Sequence, residues 1–409
     1  MKICQINCVY GKGSTGKIVA SIHKSLLRDG EESIAVCSVK DKGCSDTGVY
    51  GISNKYMSKL SSLYRKVSGR QFDGAVLQSS RLIKLLREEK PNLVHLHSIN
   101  GNNINIYRLM NYLSANGIPT VITLHAEFQY TGGCGHAYGC EKWKSGCGGC
   151  PILREATQSF FFDRTAETWR KQKECYSGFA SDKLSVVAVS PWLMSRAEQS
   201  PMLKGFPLSY IYNGVDTSVF YRRCDKAELI KKHLGECNDK ILLHVTANFD
   251  ATTDNPKGGN YIVELAEQLR GEPIKIVVVA NRHKFDTLPD NVIFLGRTQN
   301  QDELAELYSI ADLSIIASKR ETFSMPLAES MCCGTPVAGF YACGPESIAI
   351  KEYSRFAEYG NVARLKDAVT ELLSGELDGS EIEASARAVY SEQQMTSAYK
   401  KLYTDLLIR

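Results

Sequence analysis

LSIIASKRETFSMPLAESMCCGTPVAGFYACGPES, residues 313–347, contains a short apolar strand, a loop, a helix and a second short apolar strand. Pro326 suits the first turn of a helix, which Leu327 to Cys333 continue until Gly334 ends it. The two strand segments are apolar throughout, as strands are when helices cover both faces of a parallel sheet. The stretch therefore predicts a strand–helix–strand unit of a parallel α/β sheet.

The same alternation runs through both halves of the chain. Apolar runs such as KICQINCV at the start are separated by helical patterns, and the rhythm restarts after a turn signal at residues 213–216. We expect two doubly wound, Rossmann-like α/β domains facing a central cleft, where open parallel sheets bind ligands. The predicted limits are 1–213 for the N-terminal domain, 214–390 for the C-terminal domain, and 391–409 for a helix that crosses back to the N-terminal domain.

Composition restricts the classes of function. The chain has 409 residues, of which 43% are hydrophobic and 23% charged, as in soluble proteins of two domains. A formal net charge of +4 is too small to favour nucleic acid as a partner. The apolar run at the N-terminus is too short for a secretory signal, and no apolar run has the length of a membrane span. We therefore expect a cytoplasmic protein, free or at the inner face of the membrane.

A glycine-rich loop follows the first predicted strand. Residues 11–17, GKGSTGK, nearly match the phosphate-binding pattern G-x-x-x-x-G-K-[ST], but Ile18 cannot supply the hydroxyl that holds magnesium. A nucleoside triphosphatase is therefore disfavoured. The loop is either a tight turn or a place where Gly13 and Gly16 let backbone amides approach a ligand at a helix N-terminus. We predict that both glycines contact that ligand.

Two glutamates bracket the N-terminus of the helix in the opening stretch. Glu321 lies in the loop before the helix, and Glu329 lies inside it, facing the same ligand space. Between them, backbone amides and the positive helix end form an anion site. The amides belong to Thr322, Phe323, Ser324 and Met325. A nucleotide sugar requires such donors for its diphosphate, flanked by carboxylates for its hydroxyls, although two isolated glutamates would be read as solvated surface groups.

This segment resembles the signature of retaining GT-B glycosyltransferases of family four, also called group 1, E-x-F-G-x-x-x-x-E-A-x-x-x-G-x-P-V. Ser324 stands where Gly is commoner, and Ser330 stands where Ala is commoner. Further segments, such as TLHAEFQYTGGC, YNGVD and LAELYSIADL, extend the resemblance over nearly the whole chain. It is most similar to transferases that build capsular, colanic-acid-like or O-antigen polysaccharides.

The resemblance implies a role for each matched residue. Glu329 would bind the ribose hydroxyls, Glu321 the donor sugar, and Lys257 the diphosphate. Gly13, Gly16, Asn248 and Thr298 are also assigned to the donor site, with residues 295–298 beside the nucleotide base. The family's Arg shortly before the Lys is missing here. Its charge would have to come from another cation, for which the candidates are Lys319, Arg320 and Arg282.

His125 matches the family histidine near the reacting sugar, and the alternative is a structural histidine at a strand end. An Asp often follows that histidine, but here Ala126 and Glu127 follow. His95 and His97 end another strand and suit either packing or the acceptor side.

The resemblance implies retaining transfer of a hexose-type unit from a nucleotide diphosphate sugar to a glycan or lipid-linked glycan. His125, Lys257 and Glu321 are the predicted catalytic residues. The leaving diphosphate would take the acceptor proton, so that no metal cofactor is required. The alternatives are a sugar-nucleotide epimerase on the same fold and a non-catalytic binding protein.

Two further features point to partners. Cys134, Cys140, Cys147 and Cys150 could form a structural zinc site, with His136 as an alternate ligand, or could be free thiols or disulfides. The segment from Lys55 to Val67 has an apolar face flanked by basic residues. That helix could lie on an anionic membrane near the acceptor or pack on its own domain.

Overall fold

The computed structural model describes residues 1–101, 103–252 and 255–408. The chain divides into two compact units, of which the first comprises Met1–Ile211 together with the chain from Thr396, and the second comprises Tyr212–Met395. These limits lie a few residues from the expected ones, because the last helix contributes its first turn to the second unit and the rest to the first.

The first unit contains a seven-stranded parallel sheet in the order β3-β2-β1-β4-β5-β6-β7. Its strands are β1 (Lys2–Ile6), β2 (Glu32–Cys37), β3 (Val49–Gly51), β4 (Leu93–Leu96), β5 (Thr120–Leu124), β6 (Leu184–Ala188) and β7 (Leu208–Tyr210). Its helices are α1 (Gly13–Arg28), α2 (Lys55–Ser68), α3 (Val76–Glu89), α4 (Ile106–Ala115), α5 (Leu153–Thr157), α6 (Thr165–Ser177) and α7 (Pro191–Glu198). Short 3₁₀ turns cover Glu127–Gln129 and Lys142–Lys144.

The second unit contains a six-stranded parallel sheet in the order β10-β9-β8-β11-β12-β13. Its strands are β8 (Lys240–Asp250), β9 (Ile274–Lys284), β10 (Val292–Gly296), β11 (Leu313–Ile316), β12 (Val337–Phe340) and β13 (Ser354–Ala357). The helices from here on are α8 (Lys226–Leu234), α9 (Gly259–Gln268), α10 (Gln301–Ile310), α11 (Met325–Cys332), α12 (Gly344–Ile348), α13 (Val362–Ser374), α14 (Gly379–Tyr390) and α15 (Glu392–Ile408).

Both sheets confirm the predicted α/β class with parallel strands and intervening helices. The core of the second unit shows why the strands are apolar along their length. On one face, side chains of β8, β9 and β11 such as Leu242, Ile276 and Ile315 share a core with α9 and α13. On the other face Leu243, Val277 and Ile316 are buried as well, and α10 and α11 also contact the strands. Helices on both faces leave no strand face to water, so the sequence shows runs rather than alternation.

Three details differ from the sequence-based expectation. The edge strands β3 and β13 were not predicted, because each has only three or four residues and lacks a long apolar run. Strand β8 runs past the apolar segment ILLHVTA to Asp250, and β9 runs with it to Lys284. Pairing between the two strands stabilises these extensions, in which Asn248 lies opposite Arg282. Within the described residues, no helix is both long and apolar enough to cross a membrane.

Candidate active site

The carboxyl edge of the second sheet has a topological switch point between β8 and β11. These strands are neighbours, but β8 is followed in the chain by β9 on one side, and β11 by β12 on the other. In open parallel sheets the two connections leave such a pair in opposite directions and open a crevice that binds ligands. The loop from β8 to α9 carries Lys257, and the loop from β11 to α11 carries Glu321.

Lys257 and Glu321 are in direct contact although they are 64 positions apart in the chain. Lys257 Nζ donates to Glu321 Oε1 over 2.5 Å, and both side chains are partly exposed. The backbone joins the same two loops, because the Lys319 amide donates to the Pro256 carbonyl over 2.8 Å. The fold therefore brings together two of the residues that the sequence assigns to one donor site.

Gly258 permits the close approach of these loops. Its φ of +74° lies in the left-handed region, which residues with a Cβ rarely adopt. A Cβ at this position would stand 2.1 Å from the Ala317 carbonyl oxygen, so any side chain would force the loops apart. The glycine after Lys257 thus places the lysine beside the loop that carries Glu321.

Ser324 precedes α11 in an unfavourable backbone conformation. Its φ of +92° and ψ of +88° are uncommon for a residue with a Cβ, whereas glycine adopts them readily. This accounts physically for the glycine that is commoner at the matching place in the family signature. The Ser324 side chain is buried and makes no capping hydrogen bond to α11. The amides of the first turn of α11 therefore receive no cap from it.

Glu329 lies in the second turn of α11 and is oriented by a residue that sequence reasoning missed. The Tyr308 hydroxyl donates to Glu329 Oε2 over 3.4 Å, and Tyr308 is fully buried. Burial, followed by the Glu329 charge, raises the pKa of Tyr308 well above its usual value, so the hydroxyl keeps its proton. The sequence contains a signal for it, because Tyr308 lies in LAELYSIADL, one of the segments that carry the family resemblance.

The segment 342–346 holds the backbone of Glu321 in place. The Glu321 amide donates to the Ala342 carbonyl, and the Glu321 carbonyl accepts from the Gly344 amide, each over 2.9 Å. The Glu346 carboxylate in turn accepts from two backbone amides of the same turn, over 2.7 and 3.0 Å. Glu321 is therefore fixed on both sides of its backbone, which limits the directions its carboxylate can take.

Two candidate substitutes for the missing arginine lie in the loop that carries Glu321. Lys319 Nζ lies 5.5 Å from the centre of the Tyr359 ring, a cation–π distance. Arg320 donates from Nη1 to Cys343 Sγ over 2.8 Å. Both cations thus have contacts of their own, and a role for either with a diphosphate stays a prediction.

Asn248, Arg282 and Thr298 lie elsewhere along the same sheet. Asn248 and Arg282 occupy the exposed ends of β8 and β9 and lie opposite each other. Thr298 is half-buried and follows the edge strand β10, which β9 separates from β8. The contacts predicted for these residues with the donor stay predictions.

The first sheet has an equivalent switch point between β1 and β4. The Asn7 side chain accepts from the Ser98 amide over 3.0 Å and so joins the ends of these strands. The glycine loop follows β1, and within it the Gly11 amide donates to the Gly16 carbonyl over 2.9 Å. Gly13 begins α1 with a φ of +63°. The loop thus borders the ligand crevice of its own unit, and its contact with the donor stays a prediction.

His125 follows β5 and lies against His97, which follows β4. His97 Nδ1 is 3.2 Å from His125 Nε2, and His97 Nε2 is 3.3 Å from Gln5 Oε1. Burial lowers the pKa of both rings, that of His125 to about 4, so both are neutral near pH 7. Gln5 donates from Nε2 to the Val19 carbonyl, which leaves its oxygen to accept from His97 Nε2. With this orientation of Gln5, the assigned tautomers have His97 Nδ1 accepting from His125 Nε2 and the lone pair of His125 on Nδ1.

His95 has a packing role, one of the two roles considered for it. Its ring nitrogens lie 2.6 Å from the Tyr403 hydroxyl and 2.7 Å from Thr123 Oγ1. Thr123 Oγ1 also lies 2.9 Å from the Tyr399 hydroxyl. All four residues are fully buried, and both tyrosines belong to α15. His95 therefore fastens the end of the chain to the first unit.

Two family models match the chain. Residues 227–393 match the model for glycosyl transferases group 1, and residues 61–219 match the model for glycosyltransferase family 4. This chain belongs to glycosyltransferase family 4. The resemblance that its residues 321–337 indicated is thereby confirmed.

Named relatives of this family 4 member include two bacterial proteins. N-acetyl-alpha-D-glucosaminyl L-malate synthase of Bacillus anthracis is 28% identical over 211 residues, which are 48% of this chain and 53% of that protein. The chain thus matches about half the length of that relative. WcaC of Escherichia coli (strain K12), named for colanic acid biosynthesis as a glycosyl transferase, is 20% identical over 99% of this chain and 100% of its own.

Solved structures show that this family 4 member has the predicted GT-B fold. Sucrose-phosphate synthase from Thermosynechococcus elongatus superposes with a TM-score of 0.68 at 14% identity, covering 100% of this chain and 99% of its own. Anabaena HepE, solved in complex with UDP-glucose, superposes with a TM-score of 0.65 at 14% identity, covering 99% of both chains.

Glu127 takes the place near His125 where family 4 proteins often have Asp, and the structure gives it a different task. It is fully buried, and Arg196 donates to its Oε1 from Nη2 over 2.9 Å and from Nε over 3.1 Å. The Tyr130 hydroxyl donates to the same oxygen over 3.0 Å, and the Ala137 amide donates to Oε2 over 2.7 Å. A carboxylate with this many internal donors is a structural anchor.

The four cysteines of the predicted zinc site line a single pocket of the first unit. All four are free cysteines, and His136 is not among the residues that line the pocket. In the described part of the chain, no three or more His, Cys, Asp or Glu side chains already form a group that could hold a metal ion. Zinc binding at this place stays a prediction.

The amphipathic helix α2 does not pack its apolar face on its own domain, contrary to one of the two alternatives. None of its residues is buried, and Tyr56 and Leu60 are 85% and 63% exposed. The apolar surface continues past the helix, because the Phe160 amide donates to the Lys66 carbonyl over 2.9 Å. The triplet 160–162 consists of three exposed phenylalanines.

Proposed function

We propose that this protein is a retaining glycosyltransferase that moves a hexose-type sugar from a nucleotide diphosphate sugar to a glycan or lipid-linked glycan. The process would be the synthesis of a bacterial surface polysaccharide. One observation carries the proposal: Lys257 and Glu321 meet at the switch point of the second sheet, in front of the N-terminus of α11. Anabaena HepE, a structural neighbour, was solved with UDP-glucose, and WcaC is named for colanic acid biosynthesis, which supports the class of donor and product.

In the proposed donor complex, the diphosphate lies between Lys257 and the first turn of α11. The helix end contributes amides and a partial positive charge, and Lys257 contributes a full charge. Glu321 accepts hydrogen bonds from the donor sugar, and Glu329, oriented by Tyr308, accepts them from the ribose. The base is then recognised near residues 295–298, largely through the backbone.

Retention of configuration follows from a front-face reaction. The bond between the anomeric carbon and the leaving phosphate oxygen breaks, the acceptor oxygen attacks from the same side, and its proton passes to the leaving diphosphate. Lys257 and the helix end stabilise the negative charge that develops on that diphosphate. The scheme therefore requires no metal cofactor and no side-chain nucleophile. His125, neutral and with a lone pair on Nδ1, accepts a hydrogen bond from a hydroxyl of the reacting sugar.

A lipid-linked acceptor would bring the protein to a membrane, and we propose that the surface formed by α2 and the triplet 160–162 contacts it. This surface exposes Tyr56, Leu60, Leu63 and three phenylalanines. The helix carries Lys55, Lys59, Arg65 and Lys66 and no acidic residue. Exposed aromatic and aliphatic side chains beside basic ones suit an anionic lipid surface, because the rings enter the interface while the cations contact phosphates.

Vesicle sedimentation tests the membrane contact. We expect binding to vesicles that contain anionic phospholipid and little binding to zwitterionic vesicles. Replacing Leu60 and Phe161 by Ser should abolish binding, whereas replacing exposed Leu295, which lies in the second unit, should not. Equal binding of both variants, or none by the wild type, would remove this part of the proposal.

A panel of UDP- and GDP-sugars tests the transfer itself. Binding is measured by calorimetry, and turnover is measured with a lipid-linked glycan or through slow hydrolysis of the donor. The anomeric configuration of the product, followed by NMR, separates retention from inversion. Interconversion of sugar nucleotides without transfer would favour the epimerase alternative. Nucleotide binding without turnover of any donor would favour a non-catalytic binding protein.

A further inference from the structure

The segment 132–150 lies between the 3₁₀ turn that contains Glu127 and helix α5. It contains seven glycines, and Gly146 and Gly148 have φ values of +150° and +138°. Glycines lose the most conformational freedom on folding, so ordering this segment is costly. Yet the segment is folded, with Trp143 fully buried and its Nε1 donating to the Cys140 carbonyl over 2.9 Å. A cross-link within the segment would offset this cost.

We propose that Cys134, Cys140, Cys147 and Cys150 bind one zinc ion, which supplies that cross-link. All four side chains line the same pocket, together with Trp143. Four thiolates are the ligands of closed, structural zinc sites, and the spacing Cys147-Gly-Gly-Cys150 is a metal-binding turn of the C-x-x-C type.

Hydrogen bonds to sulfur support a thiolate site. The Gly132 amide donates to Cys147 Sγ over 3.1 Å. Donors directed at sulfur stabilise the deprotonated form that a metal requires, and they are the usual surroundings of metal ligands.

The four thiols line one pocket, so four thiolate charges would lie close together. Four like charges cannot gather there alone, whereas a divalent cation among them makes deprotonation favourable. Because the side chains do not yet form a finished ligand group, they would turn toward a common point when the ion binds.

Bound zinc would also steady the surroundings of His125. Within the cysteine segment, the Gly135 carbonyl accepts from the Glu127 amide over 2.9 Å, and the Ala137 amide donates to the Glu127 carboxylate. Glu127 follows His125 by two positions. The zinc segment is thus bonded directly to the turn that follows the candidate catalytic histidine.

Analysis of the metal content tests the proposal without an activity assay. The untagged, reduced protein is incubated with zinc, freed of excess by gel filtration and analysed by plasma mass spectrometry, and about one zinc ion per chain is expected. Cobalt in place of zinc should give the intense visible absorption of a tetrahedral thiolate site. A strong chelator should lower the melting temperature of the wild type, and zinc should restore it.

A double variant, Cys147→Ser with Cys150→Ser, should lose the metal, whereas Cys224→Ser, at an exposed cysteine elsewhere, should retain it. If the double variant does not fold, the zinc content and the cobalt spectrum of the wild-type protein still test the proposal. Wild-type protein that holds no zinc, holds iron instead, or has these cysteines in disulfides by mass mapping would overturn the proposal.

Discussion

The Lys257 ammonium donates a hydrogen bond to the Glu321 carboxylate over 2.5 Å, at the edge where β8 and β11 end. A partly exposed pair of this kind adds little to stability. Under the proposed function each partner has a task of its own, Lys257 with the diphosphate and Glu321 with the sugar. Donor binding therefore exchanges one internal ion pair for two new contacts, and the two residues should be separable by mutation.

Lys257→Ala should weaken UDP or GDP binding by about tenfold to a hundredfold, since a hydrogen bond to a charged group contributes about 1.5–3 kcal/mol. Glu321→Gln should leave binding of the nucleoside diphosphate unchanged or tighter, because it removes the competitor for Lys257, and should lower kcat instead. Calorimetry and steady-state kinetics measure the two effects. Lys366→Ala, which removes another lysine paired with a carboxylate, serves as the control. Equal loss of nucleotide affinity in both site variants would contradict the assignment.

Ser324→Gly should raise the free energy of unfolding by about 1 kcal/mol. The residue has a φ of +92°, and such strain costs a residue with a Cβ about 1–3 kcal/mol. Denaturant titration measures the change. Ser330→Gly, a substitution inside α11 where the backbone is helical, should destabilise the protein. If both variants destabilise it alike, the conformation of Ser324 carries no strain.

His97→Leu should lower kcat by about tenfold, because the buried N–H of His125 loses an acceptor that contributes about 1.4 kcal/mol. The KM for the donor should change little. His97→Asn, which retains an acceptor near the place of Nδ1, should keep most of the activity. A merely structural role would instead give two variants that lose stability together and show no difference in kcat.

Arg196→Met should destabilise the protein by about 3–5 kcal/mol, because it leaves the fully buried Glu127 without its cation. Arg170→Met is the matched control, since its pair with Glu174 is exposed and should contribute less than about 1 kcal/mol. Urea unfolding of both variants gives the comparison. Similar midpoints for the two variants would contradict the anchoring role of Glu127.

The protein should lose stability as the pH falls from about 6.5 toward about 4. Burial lowers the pKa of His95, His97 and His125, that of His125 to about 4, below the usual 6.5. In this pH range the unfolded chain binds protons that the folded chain excludes. Each such histidine therefore lowers the free energy of unfolding by up to about 1.4 kcal/mol per pH unit. His23 and His244 act in the same direction.

Urea midpoints at pH 7 and pH 5 measure this dependence. His95→Gln should be less stable than the wild type at pH 7 but should show a smaller decrease at pH 5. An unchanged decrease would mean that His95 does not titrate in this way.

Local sequence patterns predicted most of the helices and strands. The helix after Ser324 was predicted from Pro326 and Gly334, one residue from its observed limits, because both residues restrict the backbone by themselves. The short strands β3 and β13 escaped prediction because they are formed by pairing at sheet edges. The orienting roles of Tyr308 and His97 were not predicted for a similar reason, because nothing in their local sequence shows which side chain they contact.

The sequence by itself determined the alternation of strands and helices, the family, and the residue types available for a diphosphate and a sugar. These follow from spacing and from the chemistry of single residues. Only the tertiary structure decided that Lys257 meets Glu321, that His97 directs the lone pair of His125, and that Glu127 is an anchor paired with Arg196. The physical reason is that strand order and loop closure set which distant residues meet, and only such contacts determine the partner of a charge or a proton.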